Sequence, residues 1–359
     1  NIYSQASAPK LGGVSGKVLN KNTNDPIPYA NVMILGSTLG SSTDDKGFFE
    51  IKDVPVGFVR IVVSVVGYKY VISDELQVFN NHSAYTVIKM EEAPKDLLEV
   101  NIVAVKKKSK ESPISLRTIS LQEIEKSPGS NRDVSKAVQN LPGVAAGAVN
   151  RNDLIVRGGG PSENVFFLDD VEIPIINHFA TQGASGGAVG ILNPDFVRQV
   201  DFLSGAFPSN RGGALSSVMN IKQKEGSRDK MHFKGSIGAS DLALTFDLPI
   251  KDNNLLFSYR RSYLQFLFTA LGLPFLPSYD DIQFRYKWNI NQKNEILFLG
   301  LAAFDRSELN LTIDNPNESQ QYLLNSLPDY NQLSYTVGAV YKHYNENSID
   351  MVVLSRNML

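Results

Sequence analysis

Charged side chains that could do chemistry gather in the middle of the sequence. Asp169 and Asp170 stand side by side after an apolar run, and Glu172 follows them. Three carboxylates could hold Ca²⁺ through their oxygen atoms. Acids at a strand end more often cap turns or pair with arginines, and Arg157 and Arg211 are the candidate partners. We favour pairing, because truncating one member of a buried pair costs about 3–5 kcal/mol and such a pair can latch two segments together.

A second candidate site is the H-x-x-E spacing formed by His343 and Glu346, which some zinc peptidases use. It lies at the end of a predicted strand, and the other three histidines fall in other predicted elements, so no third ligand is identifiable. The chain has no cysteine, which excludes disulfides and thiolate metal sites. We therefore expect no metal at this position.

Glycines at 158–160 raise the question of a phosphate site. They lead into Pro161 and then a strand, whereas a phosphate cradle needs glycines that open a helix. Neither G-x-x-x-x-G-K-[ST] nor G-x-G-x-x-G occurs in the sequence. We expect these residues, with Gly212 and Gly213, to be turn glycines, and we expect neither a cofactor nor an enzyme activity.

Composition limits the remaining classes. The 359 residues are enough for two or three domains, and the formal net charge of −2 gives no reason to expect a nucleic-acid partner. Residues 1–10 are polar and carry no signal-peptide pattern, so an envelope protein would have lost its signal already. No apolar run reaches the ~18 residues that a transmembrane helix needs.

Residues 12–92 show short β-prone runs separated by turn residues. A turn at 43–47 leads into the run that begins at Phe48, and we read this as a hairpin. About seven such strands at this spacing predict a β-sandwich. The clearest runs are Val14–Leu19, Ala30–Leu35, Phe48–Ile51, Val59–Val66 and Tyr85–Met90.

The next region mixes helix and strand signals. Ser120 and Glu123 have the spacing of a helix-capping box, and Asp133–Leu141 reads as a second short helix. Leu154–Val156 and Val165–Leu168 read as strands on either side of the glycine turn. Residues 181–190 are rich in Gly, Ala and Ser, which suits either a mobile ligand-facing loop or close packing.

From Met231 onward the sequence alternates between apolar and polar residues over long strands. A soluble sheet also alternates. An aromatic face opposite a strongly polar face, repeated over many strands, fits a membrane barrel with lipid outside and water inside. In the sharpest example Phe284, Tyr286, Trp288 and Ile290 alternate with Gln283, Arg285, Lys287 and Asn289. Residues 306–331 read as a long polar loop on the extracellular side.

Two long motifs resemble the plug domain of TonB-dependent outer-membrane receptors, in particular the Bacteroidetes type. They are RGGGPSENVFFLDDVEIP from Arg157 and NPDFVRQVDFLSGAFPSNRGGALSSV from Asn193. NLPGV from Asn140 also matches, and residues 12–92 resemble the carboxypeptidase regulatory-like domain that precedes such plugs. The resemblance divides the chain into a flexible N-terminus (1–11), a β-sandwich (12–92), a linker (93–111), a plug (112–229) and the N-terminal part of an outer-membrane β-barrel (230–359).

The resemblance implies an outer-membrane location in a Gram-negative bacterium, with the N-terminal domain in the periplasm and lipid around the barrel. It implies a periplasmic TonB-type energising partner; other outer-membrane or lipoprotein subunits are further candidate partners. The TonB-box-like segment is Leu98, Glu99, Val100, Asn101, Ile102 and Val103. An extended segment of this kind can add a strand to a partner sheet. We favour the plainer interpretation that Val100–Val105 is the first plug strand, and the two are not exclusive.

Plugged transporters have about 22 strands, and residues 231–359 supply only some of these, so we expect a truncated barrel. The segment 207–218 departs from the plug ending of SusC-type glycan importers, which makes an obligate SusD-like lid less expected. The function implied is nutrient uptake by energised remodelling of the plug. The alternative is a receptor-like barrel that serves as a structural subunit of an outer-membrane secretion or assembly complex.

Overall fold

The computed structural model describes residues 11–80, 82–93, 115–130, 132–147, 151–181, 186–187, 189–228, 230–238, 241–346 and 348–359. Over these residues the chain is mainly β, as the sequence predicts. It forms an N-terminal β domain, then a mixed region with two short helices, which we call the plug, and then a run of long strands, which we call the wall sheet.

The N-terminal domain packs two main sheets around one apolar core. A three-stranded sheet has the order β4-β1-β9, and a four-stranded sheet has the order β3-β2-β6-β7, with β5 and β8 forming a separate pair. Val14 and Ile51 from the first sheet share a buried cluster with Val32 and Val63 from the second. The strands are β1 Leu11–Asn20, β2 Asn31–Ile34, β3 Gly40–Ser42, β4 Phe48–Pro55, β5 Gly57–Val59, β6 Ile61–Ser64, β7 Val71–Ile72, β8 Leu76–Val78 and β9 Ser83–Met90.

The hairpin expected at 43–47 is wrong in its pairing. The turn itself forms, since the backbone N–H of Gly47 donates to the carbonyl of Asp44 at 2.9 Å. However, β3 pairs with β2, whereas β4 pairs with β1. The turn therefore carries the chain from one sheet to the other, which local turn chemistry cannot distinguish from a hairpin.

The plug begins with the two helices that the capping residues predict. Ser120 accepts the backbone N–H of Glu123 at the start of α1 (Leu121–Lys126), and Asp133 caps α2 (Val134–Gln139). The plug strands are β10 Leu116–Ser120, β11 Val144–Ala146, β12 Leu154–Val156, β13 Asn164–Leu168, β14 Val171–Ile173, β15 Val197–Leu203 and β16 Ser217–Gln223.

The plug sheet has the order β10-β15-β16-β13-β14, in which β13 runs parallel to β16 and the other pairs are antiparallel. β10 is thus an edge strand with one neighbour. The predicted strands β12 and β13 both form, but β12 pairs with β11 instead of β13. The glycine turn between them therefore connects two different sheets.

The wall sheet is a meander in which each strand lies beside the next along the chain. Two-residue turns close it at 251–252 and 292–293, whereas longer connections with helices α3 (Leu264–Ala270) and α4 (Glu318–Ser326) leave its other end. The predicted loop is therefore partly helical. The strands are β17 His232–Ile237, β18 Asp241–Ile250, β19 Asn253–Ser262, β20 Phe275–Asn291, β21 Asn294–Leu309, β22 Tyr330–Tyr344 and β23 Ile349–Met358.

The wall sheet buries its polar face and exposes its apolar face. On β20, Gln283 and Arg285 are 1% and 4% exposed, whereas Trp288 and Ile290 are 43% and 45% exposed. On β22, Thr336 is buried and its neighbour Val337 is 44% exposed. A sheet of a water-soluble protein has the opposite arrangement. The polar face packs on the plug, since Gln283 and Arg285 contact plug residues.

None of the helices in the described ranges has both the length and the apolar character that crossing a membrane requires.

Candidate functional site

The two adjacent acids form the tight turn between β13 and β14. Leu168 pairs with Val171, so Asp169 and Asp170 are the only residues in the loop, and their φ angles are 45° and 74°. A two-residue hairpin with both φ values positive follows the twist of the strands. Aspartate is one of the few residues other than glycine that tolerates this conformation. The turn directs two neighbouring carboxylates to different partners.

Asp169 connects the plug to the wall sheet. Its Oδ1 accepts the backbone N–H of Gln223 at 3.0 Å, and its Oδ2 accepts Nε of Arg285 on β20 at 2.9 Å. The two charged side chains are only 10% and 5% exposed. The ion pair is therefore largely shielded from water, which makes it costly to break from one side.

Asp170 pairs within the plug instead. Nη2 of Arg211 donates to its Oδ1 at 2.5 Å, and the guanidinium also lies over the ring of Phe167 at 4.5 Å from the centroid. The structure thus brings together two of the four predicted latch residues. The guanidinium of Arg157 lies beside Gly205 instead. The latch function of all four residues stays a prediction.

The turn glycines divide into two groups. Gly158 and Gly213 have φ angles of 83°, which favour glycine, and Arg157 before the first of them has a φ of 51°. At Gly159 the reason is space, because an added Cβ would lie 1.6 Å from Oγ of Ser216. Gly160 and Gly212 have neither a left-handed φ nor a close neighbour.

One row of inward side chains on β20 contacts the plug at several points along the strand. We call it the β20 row: Tyr279, Asp281, Gln283, Arg285 and Lys287. All five are at most 8% exposed. Alternate residues on a strand are about 6.6–6.8 Å apart, so the five side chains face the plug at regular intervals along β20.

The middle of the row hydrogen-bonds to the plug. Oε1 of Gln283 accepts the backbone N–H of Asn193 at 2.9 Å, and its Nε2 donates to Oε1 of Gln223 at 3.0 Å. The side chain of Asn193 extends the contact to two further strands, donating to Thr245 Oγ1 at 3.1 Å and Ser258 Oγ at 2.8 Å. At Gln283, an uncharged position of the β20 row, the plug is therefore hydrogen-bonded to β18 and β19 as well.

The end of the row near the short turns is cationic. Oε1 of Glu225, in the plug's exit segment, lies 3.4 Å from Nη2 of Arg285 and 3.5 Å from Nζ of Lys287. Burial alone would raise the pKa of Glu225, but the positive charges of Lys287, Arg285, Arg198 and Arg228 outweigh it and lower the pKa. Glu225 is therefore an anion that neutralises the wall cations.

A further ion pair joins the plug to β17. Oδ1 of Asp195 lies 2.6 Å from Nη2 of Arg132 and 2.7 Å from Nζ of Lys234 on β17. Burial favours the protonated acid, yet the charges and hydrogen bonds of Arg132 and Lys234 lower the pKa of Asp195. Arg132 itself has a φ of 62°, so its backbone is held in an unfavourable conformation beside this contact.

Sequence reasoning found the polar face of β20 but missed its plug partners. Asn193, Gln223 and Glu225 were not singled out, and His178 was considered only as a possible metal ligand. The available signal was indirect: polar inward positions in the wall require polar partners. The TonB-box-like residues 98–103 lie outside the described residues. Within those residues, no three His, Asp or Glu side chains cluster as a metal site, and His343 Nδ1 lies 2.8 Å from Asn294 Oδ1.

Comparison with protein families gives two matches. Residues 14–102 match the CarboxypepD_reg-like domain, and residues 108–218 match the TonB-dependent Receptor Plug Domain. The second match contains the Asp169–Asp170 turn and Asn193. None of the curated proteins compared with the chain matches it.

Solved structures show a likeness at low identity. The siderophore receptor PirA from Acinetobacter baumannii is 15% identical, with a TM-score of 0.48 over 68% of this chain and 40% of that one. A mutant ferric enterobactin receptor from Pseudomonas aeruginosa is 14% identical, with a TM-score of 0.48 over 69% and 41%. The transporter YddB from Escherichia coli is 11% identical, with a TM-score of 0.47 over 68% and 38%. The chain thus spans about two fifths of their length.

Proposed function

We propose, from the premise that this chain carries a TonB-dependent receptor plug domain behind a carboxypeptidase regulatory-like domain, that it is an outer-membrane transporter. It takes up a nutrient when a periplasmic TonB-type protein remodels the plug. The whole-protein activity, its partner and its location are all part of this proposal.

The observation that carries the proposal is the inverted wall sheet. Its apolar side chains face outward, where lipid would solvate them, and its polar side chains face the plug. Outer-membrane strands have an apolar outer face and a polar lumen, with short turns on the periplasmic side and long loops outside. The two-residue turns at 251–252 and 292–293 and the long connections with α3 and α4 support this orientation.

Plug contacts of the observed kind suit a transporter, because they are polar and can be remade. A hydrogen bond exchanged for water contributes only about 0.5–1.5 kcal/mol, so a water-filled passage can replace each contact in turn. An apolar interface of the same size would have no such substitute. The neutral contacts of Asn193 therefore support a plug that can move, whereas the charged contacts of Asp169 and Glu225 with the wall hold it more firmly.

The edge strand β10 supplies the element that a pull would reach first. It is the first described strand after the linker, and among the described strands it pairs with β15 alone, over the five residues Leu116–Ser120. The turn of Asp169 and Asp170 lies at the opposite edge of the plug sheet, against the wall. A force applied through the linker would thus peel β10 before it reaches the contacts with β20.

The test is to delete residues 97–105 from the full-length receptor. We expect loss of energy-dependent uptake and loss of binding to the periplasmic domain of the TonB-type protein, with normal outer-membrane levels. Val100→Pro is a milder version, because proline removes the N–H needed for strand addition. Replacing Lys106, Lys107, Lys108 and Lys110 with Gln is the matched control in the same linker. Intact function of the receptor after the deletion, without any dependence on this segment, would favour the structural-subunit function.

A further inference from the structure

His178 is a fully buried plug histidine whose two ring nitrogens both face wall carboxylates. Nδ1 lies 2.6 Å from Asp305 Oδ1 on β21, and Nε2 lies 3.1 Å from Asp281 Oδ2 in the β20 row. A neutral imidazole has one N–H and one acceptor nitrogen, whereas the imidazolium donates from both. Two acceptors on opposite sides therefore select the protonated ring.

The surrounding groups leave no other way to balance the charge. Asp281 also accepts Nε of Arg260 on β19 at 3.0 Å, and Asp305 accepts the backbone N–H of Phe179 at 2.7 Å. Arg260, Asp281, Asp305 and protonated His178 sum to zero. With a neutral ring the cluster carries one uncompensated negative charge in a site without water access, which is costly.

The other polar groups around the ring do not favour the neutral form of His178. Tyr279 stacks on the imidazole at 3.9 Å between centroids, and its hydroxyl donates to Asp241 on β18 at 3.1 Å. The ring of Tyr330 on β22 lies next to the ring of Phe179, with the two centroids 6.3 Å apart. Asp241 adds a further negative charge near the cluster, which favours the cation on His178.

The same cluster holds the segment that follows the histidine. Arg260 donates from Nη2 to the carbonyls of Gly190 and Ile191 at 2.8 and 2.7 Å, and the backbone N–H of His178 donates to the carbonyl of Val189 at 2.9 Å. The stretches around 178 and 190 are thus fixed to each other and to three wall strands through one set of charges.

We propose that His178 is a proton-operated tether, which binds the plug residues 177–179 and 189–191 to strands β19, β20 and β21 while the ring is protonated and releases them on deprotonation. Burial alone lowers the pKa of His178, but the hydrogen bonds and charges of Asp281 and Asp305 outweigh it and raise the pKa above its ordinary value. A raised folded pKa gives stability that is complete below the ordinary value and is lost as pH rises through the folded value. Alkaline conditions therefore loosen these residues.

The tether would regulate the transporter described above, and only that consequence rests on the proposed function. The physical claim concerns protonation and local opening, so its test needs no transport measurement. A failed uptake assay would leave the tether intact, and a failed tether would leave the plug's energised remodelling intact.

The experiment measures hydrogen exchange in the full-length receptor in detergent, from pH 6 to pH 10, after correction for intrinsic exchange. Protection of peptides within 174–193 should fall about tenfold per pH unit between about pH 6.5 and the folded pKa and then level off. Peptides from the buried strands β1 and β6 of the N-terminal domain serve as the internal control. In His178→Gln the same peptides should be poorly protected at every pH.

A second variant and a direct titration keep the proposal open to refutation if His178→Gln does not fold. Asp305→Asn removes one of the two acceptors' charges and should shift the loss of protection to lower pH. In the unmodified receptor, the ring signal of isotope-labelled His178 should titrate above about pH 6.5. A ring that titrates at or below that value, or a pH step that persists in His178→Gln, overturns the tether.

Discussion

Asp169→Asn should release the plug from β20 without disturbing the fold of the turn. In the structure, Asp169 accepts the backbone N–H of Gln223 at 3.0 Å and Nε of Arg285 at 2.9 Å. The asparagine amide keeps an oxygen for Gln223 but loses the negative charge that faces Arg285. A hydrogen bond to a charged group contributes about 1.5–3 kcal/mol, and this pair is buried enough for that value to apply. Every 1.4 kcal/mol is tenfold, so local opening should increase by about 10- to 100-fold.

Hydrogen exchange of the full-length receptor would measure this opening, with peptides that cover β13–β14 and β16. Asp170→Asn is the matched control, because the neighbouring acid pairs with Arg211 inside the plug. We expect Asp169→Asn to expose residues 164–173 and 217–225, and Asp170→Asn to expose residues 207–215 instead.

A double-mutant cycle with Arg285→Gln isolates the ion pair from the rest of the turn. If Asp169 and Arg285 act on each other, the second substitution should cost less than it does alone, with a coupling of about 1 kcal/mol or more. Strictly additive effects, or identical exchange maps for Asp169→Asn and Asp170→Asn, would refute the reasoning.

Three further predictions follow from single contacts. Asn193→Ala keeps the backbone N–H that Gln283 accepts, but it leaves Thr245, Ser258 and the backbone N–H of Asp195 without the side-chain partner. It should destabilise the plug by about 1–3 kcal/mol, seen as a lower thermal midpoint. Gly159→Ala should lower the same midpoint, because its Cβ meets Ser216 Oγ at 1.6 Å, and Ser216→Gly in the same chain should restore it; no restoration would argue against the clash. The lowered pKa of Asp195 means that its stabilisation is present above the ordinary aspartate value and lost as pH falls below it, so Asp195→Asn should flatten the acid side of a stability–pH profile.

The sequence predicted which faces of the strands are polar but could not predict what they meet. Alternation over Gln283–Asn289 identified the inward side of β20 correctly, because side-chain direction on a strand repeats every second residue. The partner of Arg285 is Asp169, which is 116 positions away in sequence, and no local pattern encodes that distance. The helices α1 and α2 could be predicted from the sequence, because a capping residue acts on backbone groups only a few positions away.

The latch residues show the same limit within the plug. Arg211 and Asp170 were selected as possible partners from charge alone, and they do meet at 2.5 Å. Arg157 was selected on the same grounds and lies beside Gly205. His178 was considered only as a metal ligand, because its importance depends on Asp281 and Asp305, which lie on two different wall strands. Charge complementarity identifies candidate ion pairs, and the topology of the sheet determines which of them form.

The order of charges along the β20 row fixes the position of the plug along the strand. Asp281 at one end meets the cationic His178, whereas Arg285 and Lys287 at the other end meet Asp169 and Glu225. A rigid slide that moved Asp169 from Arg285 to Asp281 would bring two carboxylates together and leave two wall cations behind, with a large electrostatic cost in a buried site. Peeling β10 from β15 breaks a five-residue edge pairing and the exposed contacts of Arg117 and Thr118, and it leaves the buried charges of the β20 row in place. Force on the linker should therefore unfold the plug from its β10 edge before the plug moves as a body, and single-molecule pulling should record a short extension before the receptor loses the contacts with β20.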